Sequence, residues 1–311
     1  MQAEGSKLHT KNNIMKILRT LVISLATICI LFAGCSKEKE PTNSAQVATV
    51  KVHVSDFAIS QEDFPGGTKT TEDPADYDGV NAMTLAFYNA TGTEVVKTTQ
   101  LKSDNTTFTT FGEFECSLPM GTYTMVVLAY YTNENSILTL TSPTVASYSL
   151  RARETFATTQ TVTISNTNDV DISAILSRIV SMLTVKSTDG KTADVTNVRM
   201  TLSAGGIDFN PTTGLAITTT GFANTVGNSA AVGATSTSST FLFLATDEQT
   251  MDVTIETLDA QGNTLFSKTV NNVPFKRNRV TKLTGAMYTN SGVDGGFQIS
   301  TDWLTEYNGQ F

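Results

Sequence analysis

The chain has 311 residues, with 21 basic and 29 acidic side chains and a net charge of -8. This excess of negative charge argues against nucleic-acid binding, which depends on positive side chains at the phosphates. Thr, Ser, Asn and Gly are abundant and only 16% of the residues are charged, a balance that is typical of an extracellular all-β protein.

The first feature along the chain is an apolar run over residues 21–33, preceded by Lys16 and Arg19. The run is shorter than the about 20 residues that a transmembrane helix needs, and a basic start before such a run is typical of a signal peptide. Residues 1–14 add nothing to this pattern, so Met15 is a candidate for the true start. We therefore predict a signal peptide over residues 1–34.

The apolar run ends in Phe32-Ala33-Gly34-Cys35, which resembles the bacterial lipobox, although Phe32 departs from the usual aliphatic residue. The resemblance implies signal cleavage between Gly34 and Cys35, and acylation of Cys35 with chains such as palmitate. Several chains would anchor the protein permanently, whereas a single chain binds a bilayer only marginally. Ordinary cleavage beside an incidental cysteine is the alternative.

A charged segment, Ser-Lys-Glu-Lys-Glu, follows Cys35. It resembles the export tag that sends some lipoproteins of Gram-negative gut and oral anaerobes to the outer face of the outer membrane, and a solvated tether is the alternative. We predict a lipidated tether over residues 35–46 and a surface-exposed lipoprotein of the cell outer membrane.

Removing residues 1–34 takes away four basic residues and one acidic residue, which leaves a mature net charge of -11. Apart from Cys35 the mature chain has only Cys116, so an intrachain disulfide is not expected.

Short alternating segments separated by turns fill residues 47–168 and predict an N-terminal β-sandwich. Residues 47–54 alternate Val with polar side chains, as expected of a half-buried strand. Residues 122–131 are apolar enough for a central strand buried on both faces. Further strands are predicted over residues 80–88, 94–100, 114–118, 145–150 and 156–164.

A C-terminal β-sandwich is predicted over residues 169–311. Residues 171–183 have apolar side chains at helical spacing, but their β-branched content favours a strand from about Ile179, with a short helical turn before it left open. Residues 221–239 are small and polar, and they are predicted to form a surface loop. Later strands are predicted over residues 197–203, 214–219, 240–245, 251–258, 264–270, 280–287 and 296–303.

Residues 273–285 contain the pattern V-P-x-x-R-N-x-x-x-x-L-x-G, which resembles the late strand pair of the fimbrillin-like family. DGVNAMTLAFY (78–88) and LPMGTYTMVVLAYY (118–131) resemble the same family, which contains type V pilus subunits of anaerobes, their anchor and minor-subunit relatives, and lipoproteins of unknown role. The resemblance implies two tandem transthyretin-like Greek-key β-sandwich domains. It also implies assembly into, or anchoring of, surface fimbriae by strand exchange.

The positions of the arginines bear on the role within this family. Polymerising fimbrillins of this kind lose their lipid when an arginine-specific protease removes the N-terminal strand. The chain has no arginine between Cys35 and Leu150, so such a protease has no site before Arg151. This favours a subunit that keeps its lipid, and cleavage after Lys69 in a predicted loop is the alternative.

The C-terminal segment is the candidate strand-exchange segment. Phe297, Ile299, Thr301 and Trp303 alternate with other side chains and predict a well-formed strand. An exposed or removable edge strand is a means of β-augmentation between subunits. Pairing of this strand within its own domain is the alternative.

No catalytic site is predicted. Cys116 and His53 could form a nucleophile pair, but Cys116 shares a strand face with Phe114 and Leu118, where a free cysteine acts as a small buried hydrophobe. His53 is predicted to be a polar position of a strand rather than a metal ligand.

Two charged segments are predicted to be solvated. The acidic loop over residues 72–79 departs from the EF-hand spacing, since Leu85 takes the place of the liganding glutamate, and a looser calcium site is the alternative. Lys276, Arg277 and Arg279 form a compact basic patch at the entrance of a strand, with contact to an acidic partner or a neighbouring subunit as the alternative. No cofactor or metal is predicted.

These features predict a non-enzymatic fimbrial anchor or minor subunit, or a cell-adhesion protein. The predicted partners are the outer membrane through the lipid, other fimbrial subunits through strand exchange, and a host or bacterial surface ligand, with no nucleic acid. The alternative is a glycan-binding surface lipoprotein of a polysaccharide-uptake system. Its candidate stacking side chains are Trp303, Tyr130, Tyr131 and Tyr148.

Overall fold

The structure, a computed structural model, describes residues 46–58, 71–104, 106–289 and 297–302. This part of the chain is built from 20 β-strands, which confirms the all-β prediction. None of its segments is a helix that could cross a bilayer. Gly34, Cys35, Lys69 and Trp303 lie outside the described residues, and so do the predicted signal peptide and nearly all of the predicted tether.

The first ten strands build a large sheet and a hairpin that packs on it. In chain order they are β1 (Val47–Ala58), β2 (Thr71–Glu72), β3 (Ala82–Asn89), β4 (Glu94–Leu101), β5 (Glu113–Pro119), β6 (Gly121–Tyr130), β7 (Leu138–Ser142), β8 (Val145–Tyr148), β9 (Thr155–Ile164) and β10 (Val170–Arg178). The large sheet has eight strands in the order β2-β1-β10-β9-β6-β3-β4, and β5 also pairs with β1.

Strand β1 is paired on both sides, in parallel with β10 and antiparallel with β5. Its predicted alternation is confirmed, since Ala48, Val50 and Val52 are fully buried. These side chains contribute to a first hydrophobic core enclosed by the large sheet. The side chain of Gln100 on β4 donates to the carbonyl of Glu113 at the start of β5 (2.6 Å) and accepts from the N–H of Gly112 (2.8 Å). The amide of Gln100 thereby links β4 to β5 across the opening of the sheet.

Strand β6 is buried on both faces, as its apolar run predicted. Met125 and Val127 contribute to the first core, whereas Val126 and Leu128 contribute to a second core on the other face of the sheet. The second core is covered by the β7–β8 hairpin and by Phe209 and Phe243, from the second half of the chain. This core therefore joins the two halves.

The remaining strands form two four-stranded sheets and extend the hairpin. They are β11 (Ser181–Ser187), β12 (Asn197–Leu202), β13 (Asp208–Asn210), β14 (Leu215–Ala216), β15 (Phe222–Gly227), β16 (Thr237–Leu242), β17 (Glu248–Leu258), β18 (Thr264–Lys276), β19 (Val280–Gly285) and β20 (Gln298–Asp302). The two sheets have the orders β16-β11-β19-β20 and β15-β12-β17-β18, and a third core lies between them.

The structure corrects two sequence-based expectations. Residues 171–183 contain no helical turn, because β10 alternates in burial, with Ala174, Leu176 and Arg178 inward, and period two overrides the helical spacing. Residues 221–239 are not a continuous loop, because they contain β15 and the start of β16.

Strand β10 lies in the large sheet although its residues fall in the predicted C-terminal domain. Residues 45–311 form one compact unit. The division into sandwiches at residues 168 and 169 stays a prediction.

Candidate functional site

The C-terminal strand lies at the edge of a sheet. β20 pairs antiparallel with β19 over five residue pairs, from Thr284↔Gln298 to Val280↔Asp302. Among the described strands, β20 pairs with β19 alone, so one of its backbone edges is open. An open edge of this kind is a template for pairing with another chain.

The predicted strand-exchange residues differ in their surroundings. Phe297 immediately precedes β20 and is half-buried against the third core. Ile299 is 42% exposed, and Thr301 lies within β20. Trp303 lies outside the described residues, and strand exchange through this segment stays a prediction.

The family-like pattern over residues 273–285 is explained by packing. Val273 and Leu283 are fully buried in the third core. Asn278 adopts a positive φ of 57° between β18 and β19, a conformation that asparagine tolerates better than most residues. Gly285 lies under Phe297, and a Cβ atom at Gly285 would stand 2.8 Å from Cδ1 of that ring. The pattern therefore specifies a strand pair and, at Gly285, a position without a side chain against which Phe297 of the C-terminal segment packs.

Asp189 fixes the chain where it leaves β19. Its carboxylate accepts hydrogen bonds from the backbone N–H groups of Met287, Tyr288 and Thr289 and from the hydroxyl of Thr289, at 2.8 to 3.0 Å. Burial by itself would raise the pKa of Asp189, but these hydrogen bonds outweigh it and hold the pKa below its ordinary value. We call this group the Asp189 clamp.

A cleft of about 1010 Å³ lies over the outer face of β11 and β16. Two cross-strand pairs form its floor, Met182↔Phe241 and Thr184↔Ser239. The hydroxyls of Thr184 and Ser239 are hydrogen-bonded at 3.0 Å. The floor therefore presents apolar and hydroxyl surface side by side, and β15 with the residues after it forms one wall.

The opposite wall carries charged and aromatic side chains from the first half of the chain. Arg153 packs over the ring of Tyr131, with its guanidinium carbon 5.6 Å from the ring centroid. Arg151 is half-buried, and its Nε atom is buried without a hydrogen-bond partner among the described residues. Asp78 and Glu154 also line this wall.

A buried polar cluster supports this wall. Arg178 and Glu154 form an ion pair at 2.7 Å, and their side chains are 6% and 5% exposed. The hydroxyl of Tyr77 donates to Glu154 (2.6 Å) and accepts from Arg178 (2.7 Å), which also donates to Asn278 (3.1 Å). Burial raises the pKa of Tyr77 far above its ordinary value, so its hydroxyl stays protonated and able to donate.

Gly79 is where the acidic loop meets this cluster. A Cβ atom at Gly79 would stand 2.2 Å from Oε2 of Glu154 and 2.6 Å from the ring of Tyr77. The loop can therefore approach the cluster only because residue 79 has no side chain. Asp73, Asp76 and Asp78 on the same loop are exposed, and the described residues hold no cluster of three His, Cys, Asp or Glu side chains that could bind a metal ion.

His53 and Cys116 lie on opposite faces of the large sheet. His53 is exposed and pairs with Glu113 across β1 and β5. Cys116 faces inward and packs against the first core beside Val50, its cross-strand partner. Burial raises the pKa of its thiol to about 11. The two side chains therefore do not form a nucleophile pair.

The basic residues at the end of β18 and in the turn that follows do not form a compact patch, which corrects the expectation from their spacing. Lys276 is ion-paired with Glu248 and Arg277 with Asp247, both at 2.8 Å. Arg279 is 9% exposed and follows the turn at Asn278. The turn directs consecutive side chains to different surroundings.

The candidate stacking residues are also separated by the structure. Tyr130 is 6% and Tyr148 is 3% exposed, and their hydroxyls pair with Thr84 and Thr155. Of the three tyrosines, Tyr131 lines the cleft.

Sequence reasoning missed Arg151 and Arg153 as site residues. Their spacing of two places them on one side of an extended segment, which was the available signal. It also missed the cleft wall at β15, which had been interpreted as a loop.

Two solved structures share this fold over most of their length. The fimbrial anchor protein Mfa2 from Porphyromonas gingivalis matches with a TM-score of 0.50 and 12% identity, covering 83% of this chain and 98% of that chain. A candidate adhesin from Bacteroides ovatus matches with a TM-score of 0.50 and 11% identity, covering 83% and 95%. The likeness to fimbrillin-like proteins is therefore confirmed at the level of the fold.

The model of a family of unknown function, DUF6562, matches residues 44–310. The chain belongs to this family. No curated protein matches it.

Proposed function

We propose that the chain is a surface lipoprotein of the outer membrane that acts as a fimbrial anchor or minor subunit, or as an adhesin. The observation that carries this proposal is the fold shared with a fimbrial anchor protein over 98% of that protein's length. The proposal includes two transthyretin-like Greek-key sandwiches, over residues 47–168 and 169–311, and a role without catalysis.

Lipid attachment at Cys35 is the first part of the proposal. It is supported by the lipobox-like Phe32-Ala33-Gly34-Cys35 and by the absence of arginine between Cys35 and Leu150. Strand β1 begins 12 residues after Cys35 and is paired on both sides, so a subunit that keeps β1 also keeps its tether to the lipid. The acyl chains would then hold the whole fold at the membrane.

Strand exchange at the C-terminal segment is the second part. It is supported by the edge position of β20 and by the Asp189 clamp, which holds the chain up to Thr289 independently of β20. A chain that releases β20 would leave β19 open to a strand from another fimbrial subunit. In that arrangement an aromatic side chain of the incoming strand would pack against Gly285, as Phe297 does in the structure.

The anchor is tested in a Gram-negative anaerobe that expresses the full chain. Cys35→Ala is expected to move the protein out of the membrane fraction and to abolish incorporation of a clickable palmitate. Cys116→Ala, which also removes one thiol, is the matched control and is expected to stay in the membrane fraction. If Cys35→Ala partitions with membranes as the unmodified chain does, the anchor is wrong.

Strand exchange is tested with a variant that stops after Thr289 and so keeps every donor of the Asp189 clamp. This variant is expected to remain folded and membrane-bound but to lose the fimbrial subunits that copurify with the full chain. If the same subunits are recovered in the same amounts, strand exchange through residues 297–303 is wrong. That result would not bear on the lipid anchor.

A further inference from the structure

The cleft over β11 and β16 has a chemistry that neither anchoring nor strand exchange uses. Its volume of about 1010 Å³ lies at the upper end of the about 300–1,000 Å³ typical of ligand pockets. We propose that this cleft is a binding site for glycans that carry carboxylate groups, such as uronic or sialic acids. The proposal goes beyond the role as an anchor and does not depend on it.

The floor of the cleft matches the amphipathic surface of a sugar ring. Met182 and Phe241 offer an apolar patch to the C–H face of a ring, and Thr184 and Ser239 offer hydroxyls to its edge. The β15 wall adds Asn224, whose side-chain N–H donates to Thr240 (2.8 Å) and whose amide oxygen remains an acceptor. These groups already pair with one another, and a polyhydroxylated ligand would use their remaining hydrogen-bonding capacity, which a mostly apolar ligand would only shield from water at a cost.

The opposite wall favours an acidic ligand over a neutral one. Arg151 lines this wall, is half-buried, and has no ion-pair partner among the described residues, so its charge can be met by a ligand. The guanidinium fork fits a carboxylate with two parallel hydrogen bonds, which a single sugar hydroxyl cannot accept. Arg153 brings a second positive charge to the same wall.

One of the two acidic side chains of this wall is already paired. Glu154 is paired with Arg178 inside the buried cluster, so its charge is balanced from behind the wall. Asp78 is the other acidic side chain of this wall, which also carries Arg151 and Arg153. The cleft thus brings two arginine side chains to one wall on a chain whose mature charge is -11.

Part of the wall beside Arg151 is held in place before any ligand binds. Tyr131 is packed under Arg153, and Glu154 is fixed by Tyr77 and Arg178. Preorganised side chains lose little rotamer freedom on binding, so the contacts they make are not offset by an ordering cost.

The test uses the soluble mature chain, residues 36–311, and isothermal titration with defined oligosaccharides. The acidic probes are tetragalacturonate, an alginate tetramer, a hyaluronan tetramer and sialyllactose, and the neutral probes are cellotetraose and mannotetraose. At least one acidic probe is expected to bind, with an affinity that falls as salt is raised. No acidic probe binding below about 1 mM, or a neutral probe binding as tightly, would overturn the proposal.

The site is located with two variants and their matched controls. Arg151→Gln is expected to weaken binding of the acidic probe by about 10-fold or more, since it removes the charged fork. Lys51→Gln removes one positive charge from the exposed face of β1 and is expected to leave binding unchanged. Equal binding by Arg151→Gln and Lys51→Gln would overturn the site.

A second variant and its control test the contribution of the Tyr131 ring to binding. Tyr131→Ala is expected to weaken binding by about 5-fold or more, while Phe266→Ala, a half-buried aromatic change on β18, is expected to have no effect. Each variant is first checked for an unchanged melting temperature. The chain used for titration, residues 36–311, lacks Cys35, so failure of the anchor and failure of this site give different results.

Discussion

The first and last described strands are held in opposite ways. β1 is paired on both sides and buries Ala48, Val50 and Val52 in the first core. β20 pairs on one side, and its Ile299 is 42% exposed. The strand nearest the predicted lipid is therefore built into the fold on both sides, whereas the strand near the C-terminus is paired along one edge, and its release stays a prediction.

The largest effect is expected from a change that breaks the packing of β1. Phe57 is fully buried, stacks on Phe156 with ring centroids 4.6 Å apart and contacts Tyr77 edge-on at 5.7 Å. Phe57→Ala is expected to lower the free energy of unfolding by about 3–5 kcal/mol. Urea denaturation measures the loss, and Val47→Ala, at an exposed position of the same strand, is the control with a change within about 0.5 kcal/mol. Similar losses for both variants would contradict the buried role of β1.

A comparable effect is expected at β10, the parallel neighbour of β1. Arg178→Ala leaves the buried carboxylate of Glu154 without its ion-pair partner, which costs about 3–5 kcal/mol. Arg277→Ala breaks a more exposed pair with Asp247 and is expected to cost about 0–1 kcal/mol. Thermal and urea unfolding of the two variants measure this difference. A loss at Arg178 no greater than that at Arg277 would show that the cluster behind the cleft does not support the fold.

A smaller and pH-dependent effect is expected from the Asp189 clamp. Because the folded pKa of Asp189 lies below its ordinary value of 3.8, the ionised clamp stabilises the fold above about pH 4. That stability is lost as the pH falls through the folded pKa. Asp189→Asn is expected to cost about 1–3 kcal/mol at pH 7, and the difference from the unmodified chain should narrow below pH 4. Urea titrations at several pH values check this, and a difference independent of pH would contradict the ionised clamp.

The smallest effect is expected on β20 itself. Ile299→Ala removes a largely exposed side chain from an edge strand and should change the free energy of unfolding by no more than about 0.5 kcal/mol. Urea unfolding at pH 7 measures it. A loss above about 2 kcal/mol would mean that β20 contributes to a core, and the contrast with β1 would fail.

Local sequence patterns predicted the strands whose own residues show which faces are buried. β1 and β6 were predicted because period-two alternation and a continuous apolar run are properties of the strand alone. β15 was missed, because Phe222 and Val226 alternate within a longer stretch of small and polar residues, and the strand is completed by pairing with β12. The helical spacing in residues 171–183 was misleading, since neighbouring strands on both sides of β10 decide its period.

The candidate site was predicted less completely than the fold. The C-terminal strand was predicted from alternation, and its edge position comes from the order of the sheet. The cleft joins Tyr131 and Arg151 to Phe241 and Ser239, which are about a hundred residues away along the chain. Such a surface is set by tertiary packing, so the spacing of Arg151 and Arg153 is only a partial local signal for it.

Hydrogen exchange of the folded mature chain, followed by mass spectrometry of peptides from β1 and β20, tests the central contrast most directly. The account predicts that β1 amides exchange only with global unfolding, while β20 amides exchange much faster through local detachment. Equal protection of the two strands would contradict a C-terminal strand that can be released from a fold that retains its N-terminal strand.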